Sequence, residues 1–290
     1  MKFKKPIIIA EIGCNHKGDI NIAKRMIEVA ANCGAEYVKF QKRDNKYLLK
    51  GNYDKPHPVQ ENSYGKTYGK HRDFLEFNMS DHYKLFKHCN KKNIKYSVSV
   101  WEKNSALDFV NSKIKLDYLK VPSACNQDYE LLEVLAKKFK KKIHISLGMT
   151  SNQEIQKIIS FFKKYKRLKD LILYSCTSDY PVDSNNICLF EIQKLKKKYS
   201  NIVNSIAFSG HHLGISLDIA AGTLGASFIE RHFTLDRTWK GTDHAASLEP
   251  QGLEKLCRDI KILSNAMKFK TGNGILNCEK FQRNKLKILR

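Results

Sequence analysis

Ile7-Ile8-Ile9-Ala10-Glu11-Ile12-Gly13 is a short apolar run with a single carboxylate near its end, and it is the first of eight such runs. An amphipathic stretch of helical length follows each run, so apolar and amphipathic segments alternate along the chain. The predicted strands are residues 7–13, 37–41, 95–100, 118–123, 143–148, 171–178, 205–211 and 227–233. Strict alternation predicts a parallel sheet with crossover helices. Eight strand–helix units are the number that closes a TIM (β/α)8 barrel, which is the predicted α/β fold.

The starts of the helices are marked by capping residues. Asp128 precedes one amphipathic stretch, and Ser151 precedes another with Glu154 three residues later, which predicts a capping box. The helices are expected to begin near Asp19, Ser80, Lys103, Asp128, Ser151, Ser184, Gly214 and Pro250.

Composition excludes several classes of protein. With 290 residues and 42% hydrophobic residues, the chain is neither disordered nor collagen-like, and one barrel of roughly 250 residues fits as well as two smaller domains. No stretch reaches the roughly 20 apolar residues of a membrane span, and the N-terminal apolar run is too short for a signal peptide. The eight cysteines are scattered, with no zinc-ribbon or thioredoxin spacing. We therefore predict a cytoplasmic protein without a membrane partner and with free thiols.

The formal net charge is +23, and lysine runs occur at residues 137–142 and 194–198. Such runs bind nucleic acid in some proteins and are solvated helix ends in others. These runs are spread along the chain rather than gathered in one arm, which favours helix ends. No nucleic-acid partner is predicted, although a positive field would attract small anionic substrates.

Two segments depart from the alternation. The connection from Lys42 to Met79 is long and contains several Gly, Pro and Tyr residues, and in a barrel it would lie at the C-terminal face, where active sites form. The barrel domain is predicted to cover residues 1–270, and residues 271–290 are predicted to form a basic tail that resembles a linker.

Polar residues occupy the inward-facing positions near the ends of the predicted strands. Successive strand side chains point to opposite faces, so Glu11 shares a face with Ile7 and Ile9. The same alternation predicts that the following residues also point into the barrel: Lys39, Gln41, His144, Ser146, Ser178, Ser209, His211, Glu230 and His232. The opposite parity holds mainly apolar residues, namely Ile8, Val38, Ile143, Ile145, Ile206 and Ile229. Because buried charge is costly unless it is paired or binds a ligand, the pattern predicts a polar pocket at the barrel mouth.

His211 and His232 end consecutive predicted strands, which lie roughly 5 Å apart in a sheet. Two imidazoles at that spacing can share a divalent metal, and Asp243 and His244 lie nearby in the sequence. Two hydrogen-bonded core histidines are the alternative, and the residues alone leave both open. His212 has the opposite parity and is predicted to be structural.

Cations and hydroxyls from five strand ends suit a phosphate and a carboxylate on one small ligand. They are Lys39, Lys120, Ser123, Ser146 and Ser209. No phosphate-binding loop of the Walker type and no G-x-G-x-x-G motif is present in the sequence, so a nucleotide is not indicated.

Several motifs together resemble those of the sialic acid synthase family, in order and over residues 7–270. They are residues 9–19 (IAEIGCNHKGD), 38–41 (VKFQ), 65–69 (GKTYG), 120–123 (KVPS), 146–149 (SLGM), 176–181 (CTSDYP), 230–236 (ERHFTLD) and 241–250 (GTDHAASLEP). The resemblance implies a TIM barrel that condenses phosphoenolpyruvate with N-acetylmannosamine, or its 6-phosphate, to form N-acetylneuraminate, or its 9-phosphate, and inorganic phosphate. It implies Mn²⁺ or Mg²⁺ as the cofactor and allows a homodimer.

The resemblance also implies roles for individual residues. His211 and His232 would ligate the metal, and Glu11 would be the general acid/base. Glu230 and Asp243 complete the predicted catalytic set, and Asp243 also contacts the sugar. Substrate contacts are predicted for Lys39, Gln41, Lys120, Ser123, Ser146, Ser178, Tyr180 and Ser209.

The sequence departs from the family pattern at three places. Cys125 stands where an acidic residue is expected, and Ser178 stands where bacterial relatives often have Asn. The family usually continues into a small antifreeze-like domain that supplies an arginine to the sugar site, and we expect this chain to lack it. Lys66, Lys70, His71 and Arg72 of the long connection are expected to replace part of that charge. Two alternatives stay open: a synthase for legionaminic or pseudaminic acid, and a degenerate barrel that binds sugar or phosphate without catalysis.

Overall fold

Across residues 3–272 and 274–288, which this computed structural model describes, eight parallel strands close into a barrel. Each strand pairs with the next along the chain, and the last pairs with the first, so the predicted TIM (β/α)8 barrel is confirmed. The strands are β1 Ile7–Gly13, β2 Tyr37–Lys42, β3 Lys95–Val100, β4 Tyr118–Val121, β5 Lys142–Ser146, β6 Leu171–Cys176, β7 Ser205–Gly210 and β8 Phe228–His232.

The helices lie between the strands and after the last strand. They are α1 Ile20–Asn32, α2 Asn45–Leu48, α3 Tyr68–Leu75, α4 Met79–Lys91, α5 Lys103–Val110, α6 Tyr129–Lys138, α7 Asn152–Lys164, α8 Phe190–Tyr199, α9 Ser216–Thr223, α10 Pro250–Ala266 and α11 Lys280–Leu286. Single 3₁₀ turns lie at Gln60–Asn62, Ser123–Cys125, Leu168–Asp170, Ser184–Asn186, His244–Ala246 and Asn277–Glu279.

The alternation of side chains along each strand creates two apolar layers. Outward residues such as Ile8, Val38 and Ile143 are buried against the helices in one large core. Inward residues form a smaller layer inside the barrel, which includes Ile9 and Tyr174. The six apolar residues predicted to face outward all lie in the larger core, so the predicted parity is confirmed.

The predicted caps are present. The Asp128 carboxylate accepts hydrogen bonds from the first amides of α6, and Ser151 and Glu154 form the predicted capping box of α7. The first lysine run begins in the last turn of α6 with Lys137 and Lys138 and continues to the start of β5, and the second ends in the last turn of α8 with residues 196–198. Both positions agree with the interpretation as helix ends.

Several predicted boundaries differ from the structure. Strand β5 spans Lys142–Ser146 rather than 143–148, β6 ends at Cys176 rather than at residue 178, and β2, β7 and β8 differ by one residue at one or both ends. Strand β4 ends at Val121 rather than at residue 123, because Pro122 has no N–H to continue the ladder. The helix expected near Ser184 is a single 3₁₀ turn there, and α8 begins only at Phe190. Between them the backbone of Cys188 has a φ of 51°, a left-handed conformation that interrupts a helix.

The long connection after β2 lies over the barrel mouth, as predicted for a functional loop. It contains α2, the turn at Gln60–Asn62 and α3. The Tyr64 hydroxyl donates a hydrogen bond of 2.5 Å to the Lys240 carbonyl oxygen in the connection after β8. The two connections therefore hold each other in place above the pocket.

In the predicted tail, the structure places the turn at Asn277–Glu279 and the short helix α11. The Leu276 amide donates a hydrogen bond of 2.7 Å to the Glu279 carboxylate, which caps the turn. Within residues 3–272 and 274–288, no helix has the length and apolar character needed to cross a bilayer. The cytoplasmic location stays a prediction.

Candidate active site

A cavity of about 280 Å³ opens at the C-terminal ends of the strands. Every residue predicted as catalytic, substrate-binding or metal-ligating lines it. These residues are Glu11, Lys39, Gln41, Lys120, Ser123, Ser146, Ser178, Tyr180, Ser209, His211, Glu230, His232 and Asp243. The barrel therefore brings together side chains from all parts of the predicted set.

The floor of the cavity is a network of buried ions. Lys39 Nζ lies 2.6 Å from Glu11 Oε2 and 3.5 Å from Glu230 Oε1. Lys120 Nζ donates to the same Glu230 oxygen at 2.5 Å, and the Ser209 hydroxyl donates to it at 3.3 Å. All four charged side chains are less than 5% exposed, so their charges act on one another in a medium that screens them weakly.

These contacts shift the pKa values within the network. Burial alone would raise the pKa of Glu230, but the adjacent Lys120 and Lys39 outweigh it and hold this pKa below its usual value. Burial lowers the pKa of Lys120, and Glu230 opposes that effect only in part. For Lys39, the carboxylates Glu11 and Glu230 outweigh burial and raise the pKa. Glu230 therefore stays ionised at neutral pH and balances the lysines.

A second part of the wall is built from hydroxyls around Gly148. The Gly148 amide donates to Ser123 Oγ at 3.1 Å. A Cβ at residue 148 would lie only 2.3 Å from Ser178 Oγ and 2.7 Å from Ser123 Oγ, so glycine is what lets both hydroxyls approach the backbone. Ser178 Oγ is buried and has no hydrogen-bond partner among the described residues. An acceptor such as a phosphate or carboxylate oxygen would satisfy it.

The opposite wall carries the residues predicted to contact the sugar. Gln41 Nε2 donates to Glu11 Oε1 at 2.8 Å, which connects this wall to the ionic floor. Gly13 has a φ of +55°, and a Cβ there would lie 3.1 Å from Gln41 Nε2 and 3.7 Å from Asp243 Oδ2. The Tyr180 ring packs on His211, with ring centroids 4.2 Å apart. A polar ligand in this half of the cavity would meet amide, carboxylate and aromatic groups.

His211 and His232 lie side by side in the cavity wall, with ring centroids 5.4 Å apart. His211 Nδ1 lies 2.8 Å from the Thr177 carbonyl oxygen, which fixes the ring and leaves Nε2 for a ligand. Burial lowers the pKa of His211 to about 3, so the ring is neutral, the form that binds metals. His232 Nδ1 is buried without a hydrogen-bond partner among the described residues, and the nearest carboxylate oxygen, Asp243 Oδ2, is 3.7 Å away.

This donor set fits a divalent ion held by two imidazoles. In the described part of the chain, no group of three or more His, Cys, Asp or Glu side chains is arranged to hold a metal. An ion at this pair would therefore take its other ligands from substrate and water, as open catalytic sites do.

Two other histidines, His144 and His212, lie on the strand faces predicted for them but do not line the cavity. His212 Nε2 is 3.1 Å from an Arg231 nitrogen on the outer side of the barrel, in agreement with its predicted structural role. His144 faces inward but does not line the cavity, because it lies two residues nearer the start of its strand than Ser146. Its ring stacks on Tyr118 at 3.6 Å, and its Nδ1 lies 2.8 Å from the Tyr174 hydroxyl.

Further residues outside the predicted set also line the cavity, among them Arg43, Ser99, Trp101 and Met149. Parity could have found the first three: Arg43 continues the face of Lys39 and Gln41, and Ser99 and Trp101 continue the face of Ser97. Of the four basic residues of the long connection expected to replace a cation, Arg72 lines the cavity, whereas Lys66, Lys70 and His71 do not.

Comparison with known proteins agrees with this geometry. The family model described as NeuB family matches residues 26–272. The chain is 36% identical over 277 residues to the human N-acetylneuraminate-9-phosphate synthase, covering 94% of this chain and 74% of that protein. It is 35% identical over 289 residues to the N,N'-diacetyllegionaminic acid synthase of Campylobacter jejuni, covering 99% and 84%.

A solved structure is also similar to this chain in both fold and sequence. The N-acetylneuraminic acid (sialic acid) synthetase of Leptospira borgpetersenii, in complex with citrate, superposes with a TM-score of 0.80 at 30% identity, over 98% of this chain and 93% of that one. The chain therefore belongs to the NeuB family, the family of the sialic acid synthases and their legionaminic acid relatives.

Proposed function

We propose that this protein condenses phosphoenolpyruvate with N-acetylmannosamine, or its 6-phosphate, to give N-acetylneuraminate, or its 9-phosphate, and inorganic phosphate. The observation that carries the proposal is the single cavity, which gathers the ionic floor, the serine wall and the histidine pair. Buried atoms of Ser178, Glu230 and His232 in that cavity lack hydrogen-bond partners among the described residues. Such atoms are typical of a site that is completed by a ligand.

Phosphoenolpyruvate fits the floor and the serine wall. Lys39 and Lys120 neutralise a phosphate or carboxylate, and Ser123 and Ser146 present hydroxyl donors, while Ser209 holds Glu230. Because Glu230 Oε1 is shared by Lys39 and Lys120, it keeps both ammonium groups oriented toward the cavity before the substrate arrives. Orientation in advance reduces the free-energy cost of binding and reaction.

The acceptor sugar fits the wall of Gln41, Tyr180 and Asp243. In the proposed reaction, carbon 3 of phosphoenolpyruvate forms a bond to the aldehyde carbon of the open-chain sugar. Water adds at carbon 2, and the C–O bond to phosphate breaks, which releases inorganic phosphate. Glu11 lies between Lys39 and Gln41, at the junction of the two substrate regions, and transfers protons at the reacting carbons.

His211 and His232 are the residues that would hold Mn²⁺ or Mg²⁺. When bound, the ion would supply Lewis-acid polarisation of the aldehyde oxygen. The Thr177 carbonyl keeps the His211 ring in the required orientation.

A synthase for legionaminic or pseudaminic acid is the second candidate. The near-equal identity to the human and Campylobacter enzymes, 36% and 35%, favours neither acceptor. Both candidates share phosphoenolpyruvate and differ only in the sugar.

The test measures phosphate release from phosphoenolpyruvate with Mn²⁺ and each acceptor in turn: N-acetylmannosamine, its 6-phosphate, and the diacetamido six-carbon sugars that lead to legionaminic and pseudaminic acids. We expect release with one of these acceptors, and none without an acceptor. As a control for substitution far from the cavity, Lys197→Ala on the exposed face of α8 should keep full activity. No release with any acceptor would overturn the proposal and favour a barrel that binds without catalysis.

A further inference from the structure

Two buried asparagines hold segments that line the cavity, although neither asparagine lines it. Asn15 follows β1 and is 2% exposed, and Asn126 directly follows the turn Ser123–Cys125 and is 3% exposed. In each of them the side-chain amide nitrogen donates to one backbone oxygen and to one hydroxyl. A planar amide bonded to two partners fixes the position of one partner relative to the other.

Asn15 holds the connection that carries Asp243. Its amide nitrogen donates to the Phe233 carbonyl oxygen and to Ser247 Oγ, both at 2.9 Å. Phe233 lies at the start of the connection between β8 and α10, and Ser247 lies near its end. Ser247 Oγ in turn donates to the Asp243 carbonyl oxygen at 2.7 Å. A chain of hydrogen bonds therefore leads from Asn15 to the backbone of Asp243.

This chain of hydrogen bonds reaches the part of the connection that enters the cavity. Backbone hydrogen bonds join only its two ends, where the Thr234 amide donates to Leu248 and the Leu248 amide donates to His232. Asp243 lies between these ends, lines the cavity, and has its Oδ2 3.7 Å from His232 Nδ1. Asn15 thus extends the closure of the connection to the carboxylate of the acceptor side.

Asn126 has the same arrangement at the serine wall around Gly148. Its amide nitrogen donates to the Ser146 carbonyl oxygen at 2.8 Å and to Thr150 Oγ1 at 2.6 Å. Thr150 Oγ1 donates to the Gly148 carbonyl oxygen at 2.8 Å, and the Gly148 amide donates to Ser123 Oγ. Asn126 therefore ties the segment after β4 to the segment after β5, which together carry the serine hydroxyls.

The two asparagines are alike in burial and in partners, and they hold different halves of one cavity. Burial of an amide is costly, and hydrogen bonds offset that cost. An apolar side chain of similar shape would fill the same space. What each amide adds is the fixed position of the two segments bonded to it.

We infer that Asn15 and Asn126 are positioning residues for different substrates. Asn15 places Asp243 for the acceptor sugar, and Asn126 places Ser146 and Gly148 for phosphoenolpyruvate. This inference rests on the proposed function and divides its site into two halves that are positioned separately. A displacement of about 1 Å in a group that orients a substrate can cost roughly 100-fold.

The experiment measures the KM for phosphoenolpyruvate and the KM for the acceptor in Asn15→Leu and Asn126→Leu. Leucine has nearly the shape of asparagine and no donor. Asn15→Leu should raise the acceptor KM by roughly 10-fold or more and change the phosphoenolpyruvate KM by less than about threefold. Asn126→Leu should show the reverse. Each variant is the matched control for the other, because both lose one buried amide with two hydrogen bonds.

The two KM values separate positioning from a purely structural role. A loss of stability alone would reduce the amount of folded enzyme and leave both KM values as in the wild type. Equal rises of both KM values in either variant, or no rise in variants shown to be folded by their melting curves, would overturn the inference. The proposed function would stand in either case.

A second measurement tests whether Asn15 acts through Asp243. Calorimetry gives the acceptor dissociation constant without turnover, which is needed because Asp243 belongs to the predicted catalytic set. In Asp243→Ala, the additional change Asn15→Leu should weaken acceptor binding by less than about twofold, since the group that it positions is gone. An equal weakening in the presence and absence of Asp243 would contradict action through this residue.

Hydrogen exchange keeps the test decisive if no acceptor is turned over, which would be a failure of the proposed function. The amides of residues 234–247 should exchange faster in Asn15→Leu, and those of residues 147–150 should exchange faster in Asn126→Leu. The other segment should keep its wild-type rate in each variant. Unchanged exchange in both segments, or equal acceleration of both segments by one variant, would overturn the inference whatever the turnover.

Discussion

The two faces of β7 and β8 carry two buried ionic clusters with different surroundings. The inner cluster contains Ser209, His211, Glu230 and His232, and it lines the cavity of the barrel mouth. In the outer cluster, Arg231 bonds to Asp218, to the His212 carbonyl oxygen and to the Gly214 carbonyl oxygen. On these two adjacent strands, the side chains that point inward therefore belong to the candidate site, and those that point outward pack against α9.

Both clusters are buried and charged, so burial of charge does not by itself distinguish a site from a structural ion pair. Arg231 and Asp218 are 1% and 0% exposed, which is more buried than Glu230 at 4%. The difference is that the outer cation points at one carboxylate and two backbone oxygens, whereas the inner groups share their partners around a space large enough for a ligand. Four predictions test this distinction.

The largest effect is expected inside the barrel, for Glu11→Gln. The amide keeps the shape of the carboxylate but cannot transfer a proton, so kcat should fall by roughly 10²- to 10⁴-fold. Steady-state kinetics of phosphate release measures this, and the melting temperature shows whether the fold is kept. Phosphoenolpyruvate should still bind to the variant. A variant with wild-type kcat would remove Glu11 from the general acid/base role.

On the outer face, Asp218→Asn should reduce stability rather than catalysis. It leaves the Arg231 guanidinium buried without its counter-charge, and breaking a buried pair costs about 3–5 kcal/mol. Denaturant unfolding measures the loss, and the KM for phosphoenolpyruvate should be unchanged in the folded fraction. Asp108→Asn, on an exposed position of α5, is the control and should be neutral. A stable Asp218→Asn protein with a raised KM would contradict the division between the two faces.

The adjacent residues His211 and His212 test the parity directly. In the wild type, Mn²⁺ at about 100 times its dissociation constant should stabilise the fold by about 2.7 kcal/mol, and chelation should abolish activity. His211→Ala should lose the Mn²⁺-dependent rise in melting temperature. His212→Ala should melt at a lower temperature but keep the response to Mn²⁺, because its partners are Arg231 and Asp218. Equal loss of the response in both variants would refute the assignment of the two faces.

The smallest effect concerns His144, which faces inward but lies below the cavity. Burial, together with the charge of Lys120, holds its pKa well below 6.5. As pH falls below 6.5, the unfolded chain takes up a proton at this residue while the folded chain does not, so the free energy of unfolding decreases. In this window His144→Gln should lower the slope of stability against pH by up to about 1.4 kcal/mol per pH unit.

Unfolding measured at several pH values gives the slope of stability against pH for the wild type and for His144→Gln. At neutral pH, kcat should differ by less than about threefold between these two proteins. Parallel slopes would mean that His144 is not held neutral in the fold. A large fall in kcat in a well-folded variant would mean that the functional region of the barrel extends below the cavity.

Much of the site could be predicted from the sequence, because the facing of a side chain is a local property of its strand. Lys39 and Gln41 were assigned to the same face from spacing alone, and both line the cavity. Arg43 has the same parity but was missed, because it lies one residue beyond the end of β2. The depth of each inward side chain along the barrel axis could not be predicted, because it depends on the stagger between neighbouring strands. For example, Lys120 pairs with His144, which lies two residues before the cavity-lining Ser146.

By itself, the sequence determined the number of strands, their parity, the caps of α6 and α7 and the family. All of these follow from residues close together in the chain or from ordered motifs. Only the tertiary structure decided which charges meet. Lys120 and Glu230 are separated by 110 residues and come within 2.5 Å because the barrel closes. Tertiary structure likewise decided that Lys39 and Lys120 are each neutralised by a carboxylate. Such pairing depends on distances between strand ends and loops, and no local rule of spacing contains those distances.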